Sequence, residues 1–219
     1  MAAITPDPRK IKSFRDQPAF ERWLQANHAR ETELWLKIHK KHSGKPSVTN
    51  DEAIDSALCW GWIDGLRKAF DETSFLQRFS PRKPKSVWSQ INRGRVQRLV
   101  EAGRMTPHGQ SHIDAARTDG RWQSAYAPIR NASHASMPKD LRAAINASPQ
   151  ARATFRKLSR MNLFALAFRT NNMKTAAGRE RKIASLVAML ARGETIVPQP
   201  AKKKVAKAGK RRVARPRTA

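Results

Sequence analysis

A string of tryptophan, glycine and aspartate residues is the first place in the sequence where chemistry could be concentrated. Residues 60–65 read WGWIDG, which joins two indole rings and a carboxyl group at a predicted helix-to-strand corner where glycines permit close backbone approach. Such parts could line a pocket with Asp64 as its polar anchor. The alternative is that Trp60 and Trp62 are core residues and that Asp64 closes the turn.

Basic residues gather around the proline-rich loop that follows, residues 80–85. Ser86 is predicted to cap the next helix, whose free amide donors could bind phosphate or carboxylate. Trp88 could stack on a base, although its helical spacing from Ile91 also suits core burial. The predicted anion-binding residues are Lys40, Lys41, Trp62, Asp64, Arg67, Arg78, Arg82, Lys83, Lys85, Ser86, Trp88 and Arg93. A merely solvated charged face is the alternative.

The end of the chain is a second concentration of positive charge. Residues 198–219 contain nine Lys and Arg and no acid, with too few apolar residues for a core, so a disordered tail is predicted. Its cations are Lys202, Lys203, Lys204, Lys207, Lys210, Arg211, Arg212, Arg215 and Arg217. They could neutralise nucleic-acid phosphates without reading sequence. A solubilising arm is the alternative.

Motifs of the common enzyme classes are absent from the sequence. It contains no Gly-x-Ser-x-Gly, phosphate-loop or dinucleotide-binding pattern. The pairs His39/His42 and His108/His112 have spacings that metals tolerate, but neither has a third ligand at motif distance. Cys59, the single cysteine, is expected to be a small core residue. No catalytic residue, metal or cofactor is therefore predicted.

Overall composition indicates the kind of partner. The chain of 219 residues has 44 Lys and Arg against 17 Asp and Glu, a net charge of +27, which favours an anionic partner, with nucleic acid first. The N-terminus has no apolar segment typical of a signal peptide, and the longest apolar run, residues 163–168, is too short to span a bilayer. A single cysteine suits a reducing compartment. We expect a cytoplasmic protein, with the nucleoid as a location if it binds DNA.

The sequence signals for helices and strands around these residues predict an α+β fold. Capping signals at Asp16 and Thr49 begin two helices, residues 34–38 alternate as a strand, and residues 63–79 suggest a β-hairpin. The proline-rich segment from Ser80 is not expected in a central strand, because proline lacks a donor. The predicted organisation is an α+β body at 1–126, a connector at 127–137, an all-helical segment at 138–197 and the tail at 198–219.

Four stretches together resemble a known family. They are WLKIHKK at 35–41, ALCWGWIDG at 57–65, QRFSPRKPKSVWS at 77–89 and DGRW at 119–122. Their order and spacing resemble the bacterial YdeI/OmpD-associated family, sometimes labelled bacteriocin-protection proteins, over roughly residues 12–193. The resemblance implies links to envelope stress, an outer-membrane porin and protection against antimicrobial peptides. It implies no defined reaction and supplies no catalytic residue.

Three function hypotheses follow. The first is a cytoplasmic stress-protection protein that binds nucleic acid through its tail and a basic body surface. The second is an unrecognised enzyme or small-ligand binder that holds an anionic ligand near Trp62, Asp64, Arg78 and Arg82, with Asp64 as acid or base. The third, ranked last, is a module that binds an acidic protein or a membrane surface.

Overall fold

The computed structural model describes residues 4–199 and divides the chain into two compact units between Pro128 and Ile129. The N-terminal unit combines a small mixed sheet with helices, and the C-terminal unit is helical, which confirms the predicted α+β class. Except for Pro198 and Gln199, the predicted tail lies outside the described residues.

The sheet has four strands in the order β1-β2-β4-β3. Their bounds are β1 Ile11–Lys12, β2 Leu34–His39, β3 Trp62–Ala69 and β4 Ser74–Pro81. β1 runs parallel to β2, and the other neighbours are antiparallel, so the predicted hairpin is β3–β4. Strand β4 is central and reaches Pro81, contrary to the expectation for the proline-rich segment. Pro81 is tolerated because it is the last strand residue, and the next amide, Arg82 N–H, donates to Gly61 O at 2.9 Å.

Helices of the N-terminal unit begin where side chains cap them. Their bounds are α1 Gln17–Asn27, α2 Asn50–Cys59, α3 Gln90–Glu101 and α4 Pro107–Thr118. Asp16 accepts a hydrogen bond from the Ala19 amide at 2.9 Å, and Thr49 and Glu52 form the predicted capping box. Helices α1 and α2 pack on the sheet around Phe20, Leu36 and other buried residues.

The start of α3 differs from the prediction. Its cap is Ser89, whose hydroxyl accepts a hydrogen bond from the Asn92 amide at 3.1 Å, and Ser86 lies in the preceding loop. Residues 88–89 are held extended because Trp88 O accepts the Tyr126 amide at 3.0 Å and Ser89 forms a parallel bridge with Tyr126. Trp88 therefore belongs to the loop before α3, and its side chain is buried. Ile91, which lies on the helix, is 42% exposed.

Between residues 129 and 199 the helical unit contains four α-helices: α5 Lys139–Ala147, α6 Pro149–Phe155, α7 Arg160–Asn171 and α8 Ala176–Ala191. Its core is a separate cluster of buried side chains that includes Leu141, Ile145, Leu166 and Leu190. In the sequence, a short 3-10 helix, Ile129–Asn131, lies between α4 and α5. The predicted all-helical character of this segment is therefore confirmed.

Candidate functional site

Several cations that were predicted to form a basic surface on the N-terminal unit already have acceptors. Arg78 Nε donates to Glu33 Oε2 at 2.7 Å, and Lys40 Nζ donates to Glu72 O at 2.9 Å. Arg67 Nη2 donates to Asn50 Oδ1 at 2.7 Å. These contacts lower the capacity of the surface to bind a polyanion, because a phosphate would have to compete with acceptors already in place.

The remaining cations of the predicted set divide between exposed and buried positions. Lys83 and Lys85 are exposed in a loop, and Lys41 is exposed at the start of a short 3-10 helix, Lys41–Ser43. Arg93 lies half-buried on α3. Ser86 is not a helix cap, and its carbonyl accepts a hydrogen bond from Arg121 Nη1 at 2.8 Å. The predicted residues are therefore spread along the loops and strands rather than gathered at one helix N-terminus.

Arg82 is the unusual member of the set because it is only 5% exposed. Its guanidinium carbon lies 3.6 Å from the ring centroid of Trp88, and its Nη1 donates to Val87 O at 3.4 Å. Its Nε and Nη2, together with Trp88 Nε1, are buried without a hydrogen-bond partner among the described residues. Burial lowers the pKa of Arg82 to about 10, so the group stays charged at neutral pH.

Titratable groups near Arg82 have shifted pKa values. Burial raises the pKa of Asp64, and the positive charges of Arg95 and Arg82 partly offset that rise. Burial also raises the pKa of Tyr126, and Asp64 adds to that rise. Burial and then the charge of Arg82 lower the pKa of His112. At neutral pH these effects favour a neutral His112 beside a buried cation.

The corner at 60–65 is tightly packed. Trp62 is 1% exposed, and its Nε1 donates to His28 O at 3.1 Å. Gly61 has a φ of +72°, and a Cβ at this position would come within 2.7 Å of the His112 ring. Trp60 is half-buried and stacks with His108 at a centroid distance of 5.9 Å. Trp62 is thus a hydrogen-bonded core residue in this structure.

Burial raises the pKa of the Cys59 thiol to about 11. The thiol therefore stays protonated at neutral pH and is a poor nucleophile. Within residues 4–199, no group of three or more His, Cys, Asp or Glu side chains is arranged to hold a metal ion. None of the helices in that range is long and apolar enough to cross a membrane.

The helical unit carries the strongest uncompensated charge in the described part of the chain. Residues 129–199 contain 13 Lys and Arg and three Asp and Glu, a net +10, whereas residues 1–128 contain 22 and 14, a net +8. Two of the 13 cations form ion pairs, Arg179 with Asp140 at 2.5 Å and Arg192 with Glu194 at 2.8 Å. Most of the others are exposed.

Four of these exposed cations fall within nine residues where α6 meets α7. We call Arg152, Arg156, Lys157 and Arg160 the junction cluster. Sequence reasoning missed it because the hydrophobic periodicity of these helices drew attention to their cores. A count of acidic residues in each segment would have revealed it.

The last described residues are held at this junction. Asn162 Nδ2 donates to Val197 O, and the Val197 amide donates to Asn162 Oδ1, both at 2.9 Å. Gln199 Oε1 accepts the Ser159 amide at 2.5 Å. Residues 200–219, which contain all nine tail cations, therefore continue the chain from a point next to the junction cluster.

Two family models match the chain. Residues 12–112 match a domain of unknown function (DUF8412). This matched range contains the first three of the four stretches noted in the sequence. Residues 134–193 match the family described as bacteriocin-protection, YdeI or OmpD-associated, which confirms the suspected family for this segment. No curated protein and no solved structure matches the chain.

Proposed function

We propose that this chain, which carries a YdeI/OmpD-associated domain at residues 134–193, binds nucleic acid without sequence specificity through its basic tail and the junction cluster. One observation carries the proposal: the hydrogen bonds of Val197 and Gln199 start the tail beside four exposed cations that have no acidic partner among the described residues. Together the two segments contain 13 cations.

Counterion release is the physical basis of the proposed binding. Each phosphate that a Lys or Arg neutralises adds about 0.9 to the slope of log affinity against log salt for duplex DNA. Arginine also binds phosphate through two parallel hydrogen bonds, and three of the four junction cations are arginines. We propose that this binding takes place in the cytoplasm, on the nucleoid, in a stress-protection role; the family's description itself names bacteriocin protection.

The test is fluorescence anisotropy of labelled duplex DNA at salt concentrations from about 50 to 200 mM. The four junction residues are replaced together by glutamine in the full chain. The matched control replaces Lys41, Lys45, Lys83 and Lys85, four exposed lysines of the N-terminal unit, in the same way. We expect the junction variant to lose about 3 to 4 from the salt slope and the control to lose less than about 1.

A third variant has the nine tail cations replaced by glutamine. This tail variant should lose most of the part of the salt slope that the junction residues do not supply. Salt-independent binding by the native chain, or equal losses in the junction and control variants, would contradict the proposed surface.

A second candidate function is the binding of a small oxyanion at Arg82. It is favoured by the two unpaired nitrogens Nε and Nη2, which form the edge of a guanidinium that binds a carboxylate through two parallel bonds. Because these atoms are buried, an anion could reach them only if the structure around Arg82 opened. Two other residues of the second hypothesis, Trp62 and Arg78, already donate to His28 O and Glu33 Oε2 and are not needed, whereas Asp64 stays part of it.

Thermal shift with citrate and phosphate tests this candidate. We expect a saturable rise in melting temperature with the native chain and with Lys83→Met, and none with Arg82→Met. A lack of saturable response in the native chain would exclude it.

A further inference from the structure

A groove of about 580 Å³ runs between α3 and α4 in the N-terminal unit. This volume lies in the usual range for small-molecule sites, roughly 300 to 1,000 Å³. Part of the space exists because Gly94 lines it, and a Cβ at Gly94 would meet no atom within 4 Å. The groove is open to solvent and can be entered without any rearrangement of the core.

An indole ring and two guanidinium groups form one end of the groove. The guanidinium carbons of Arg93 and Arg117 each lie 5.3 Å from the ring centroid of Trp122. Arg82 by comparison lies 3.6 Å from the Trp88 ring, so neither groove arginine is closely stacked on Trp122.

These two arginines lack strong acidic partners. Arg117 is 3.9 Å from Asp114, with both side chains more than half exposed, and no ion pair of Arg93 is found within residues 4–199. Two like charges held at one ring repel each other unless an anion lies between them. A phosphate group supplies enough oxygen atoms to accept hydrogen bonds from both guanidinium groups.

The opposite end of the groove suits the rest of an aromatic ligand. Val100 is 45% exposed there and offers apolar contact. The Gln97 amide, hydrogen-bonded to Glu101 at 3.1 Å, provides donors and acceptors for a heterocycle with polar edges. Guanidinium groups, an indole ring and side-chain amides therefore line one groove.

We propose that the groove between α3 and α4 binds a nucleotide, with the phosphate between Arg93 and Arg117 and the base extending from the edge of Trp122 towards Val100. The nucleotide is either free in solution or an unpaired residue of a nucleic acid. Only in the second case does the inference rest on the proposed nucleic-acid function. Single-strand binding through aromatic stacking is tolerant of sequence, as is binding through the junction cluster.

Gly94 provides a matched pair of variants for the test. Gly94→Met fills the groove, whereas Gly94→Ala adds one methyl group in open space. Both replace a glycine inside α3 by a better helix former, so both should fold and melt at or above the native temperature. Arg117→Gln, at an exposed position, removes one phosphate contact and leaves the α3 side of the groove as it is.

Binding of AMP and of oligo(dT) to the full chain is measured by calorimetry, with inorganic phosphate as a reference. For the probe that binds in the groove, AMP or oligo(dT), we expect Gly94→Met and Arg117→Gln to weaken binding by about 10-fold or more. Gly94→Ala should stay within about twofold of the native chain. Binding of AMP identifies a free nucleotide, and groove-dependent binding of oligo(dT) alone identifies a nucleic-acid residue.

The inference is overturned if neither probe distinguishes Gly94→Met from Gly94→Ala, or if inorganic phosphate binds the groove as tightly as AMP. Duplex binding by the junction cluster and tail would be unaffected by that outcome. Failure of this inference is therefore separable from failure of the proposed function.

Discussion

The two units of the chain differ in what their charged residues contact. In the N-terminal unit, cations are tied to carboxylates that are distant in sequence: Arg78 to Glu33 at 2.7 Å, and Arg95 and Arg98 to the buried Asp55 at 2.9 and 2.7 Å. In residues 129–199 of the helical unit, there are 13 cations and three acids, and most of these cations are exposed. Net charge alone therefore does not locate a polyanion surface, because pairing decides which cations remain available.

The largest expected effect concerns Asp55, which holds two arginines of α3. Asp55→Ala leaves Arg98 without its partner and Arg95 with the exposed Asp51 only, so we expect a loss of about 3 kcal/mol in the free energy of unfolding. Urea unfolding followed by tryptophan emission measures it. All six tryptophans lie within residues 1–128, so this signal reports the N-terminal unit.

Asp140→Ala is the matched change in the helical unit. Asp140 is about half exposed and pairs with Arg179 at the surface, so the loss, followed by far-UV circular dichroism, should be below about 1 kcal/mol. Equal losses at Asp55 and Asp140 would remove the contrast between structural and available charges.

Two glycines of the N-terminal unit allow a similar comparison between a closely packed position and an open one. A Cβ at Gly109 would come within 2.4 Å of Cys59 O and 2.7 Å of Leu58 O, so Gly109→Ala should cost about 2 kcal/mol. Gly94→Ala, where no atom lies within 4 Å, should instead stabilise α3 by up to about 1 kcal/mol. Thermal melts of both variants by tryptophan emission give the comparison, and opposite signs are expected.

Alkaline pH should affect the two units differently. The pKa of Cys59 is raised from 9.0 to about 11 in the folded chain, so the contribution of the protonated thiol is complete below pH 9 and is lost as pH rises through 11. At pH 10 the thiol should account for a loss of about 1 kcal/mol in the free energy of unfolding, and Cys59→Ala should remove this part and leave the part due to Tyr126, whose pKa is also raised by burial. Urea midpoints from tryptophan emission between pH 8 and 11 check this. An unchanged pH dependence in the variant would contradict it.

A change in salt concentration should have the smallest effect on stability, and this effect should appear in the helical unit. Raising salt from about 20 to 300 mM screens repulsion among the exposed cations of the helical unit. We expect its melting temperature by circular dichroism to rise by a few degrees, with a smaller change in the tryptophan-detected transition. A rise confined to the tryptophan signal would show that the repulsion lies in the other unit.

Local signals in the sequence predicted most of the elements. The caps at Asp16 and Thr49, the hairpin of β3 and β4, and the all-helical C-terminal segment were predicted because capping and periodicity act over a few residues. The start of α3 was misplaced by three residues because Ser86 and Ser89 are both plausible caps. A long-range contact with Tyr126 decides between them.

The candidate sites could be predicted only in part. The positive charge of Arg82 was evident in the sequence, but its burial over Trp88 depends on tertiary packing. The pairing of Arg78 with Glu33 joins residues 45 positions apart, so no local pattern reveals it. The junction cluster was visible as composition, but its position beside the start of the tail depends on the hydrogen bonds of Val197 and Gln199.

The most direct test of the central claim is amide chemical-shift mapping of the full chain during titration with a short duplex DNA at about 100 mM salt. The account predicts the largest shifts at residues 152–160 and 200–219. Shifts concentrated at residues 40–45 and 82–85, with the helical unit unchanged, would contradict it and return the polyanion surface to the N-terminal unit.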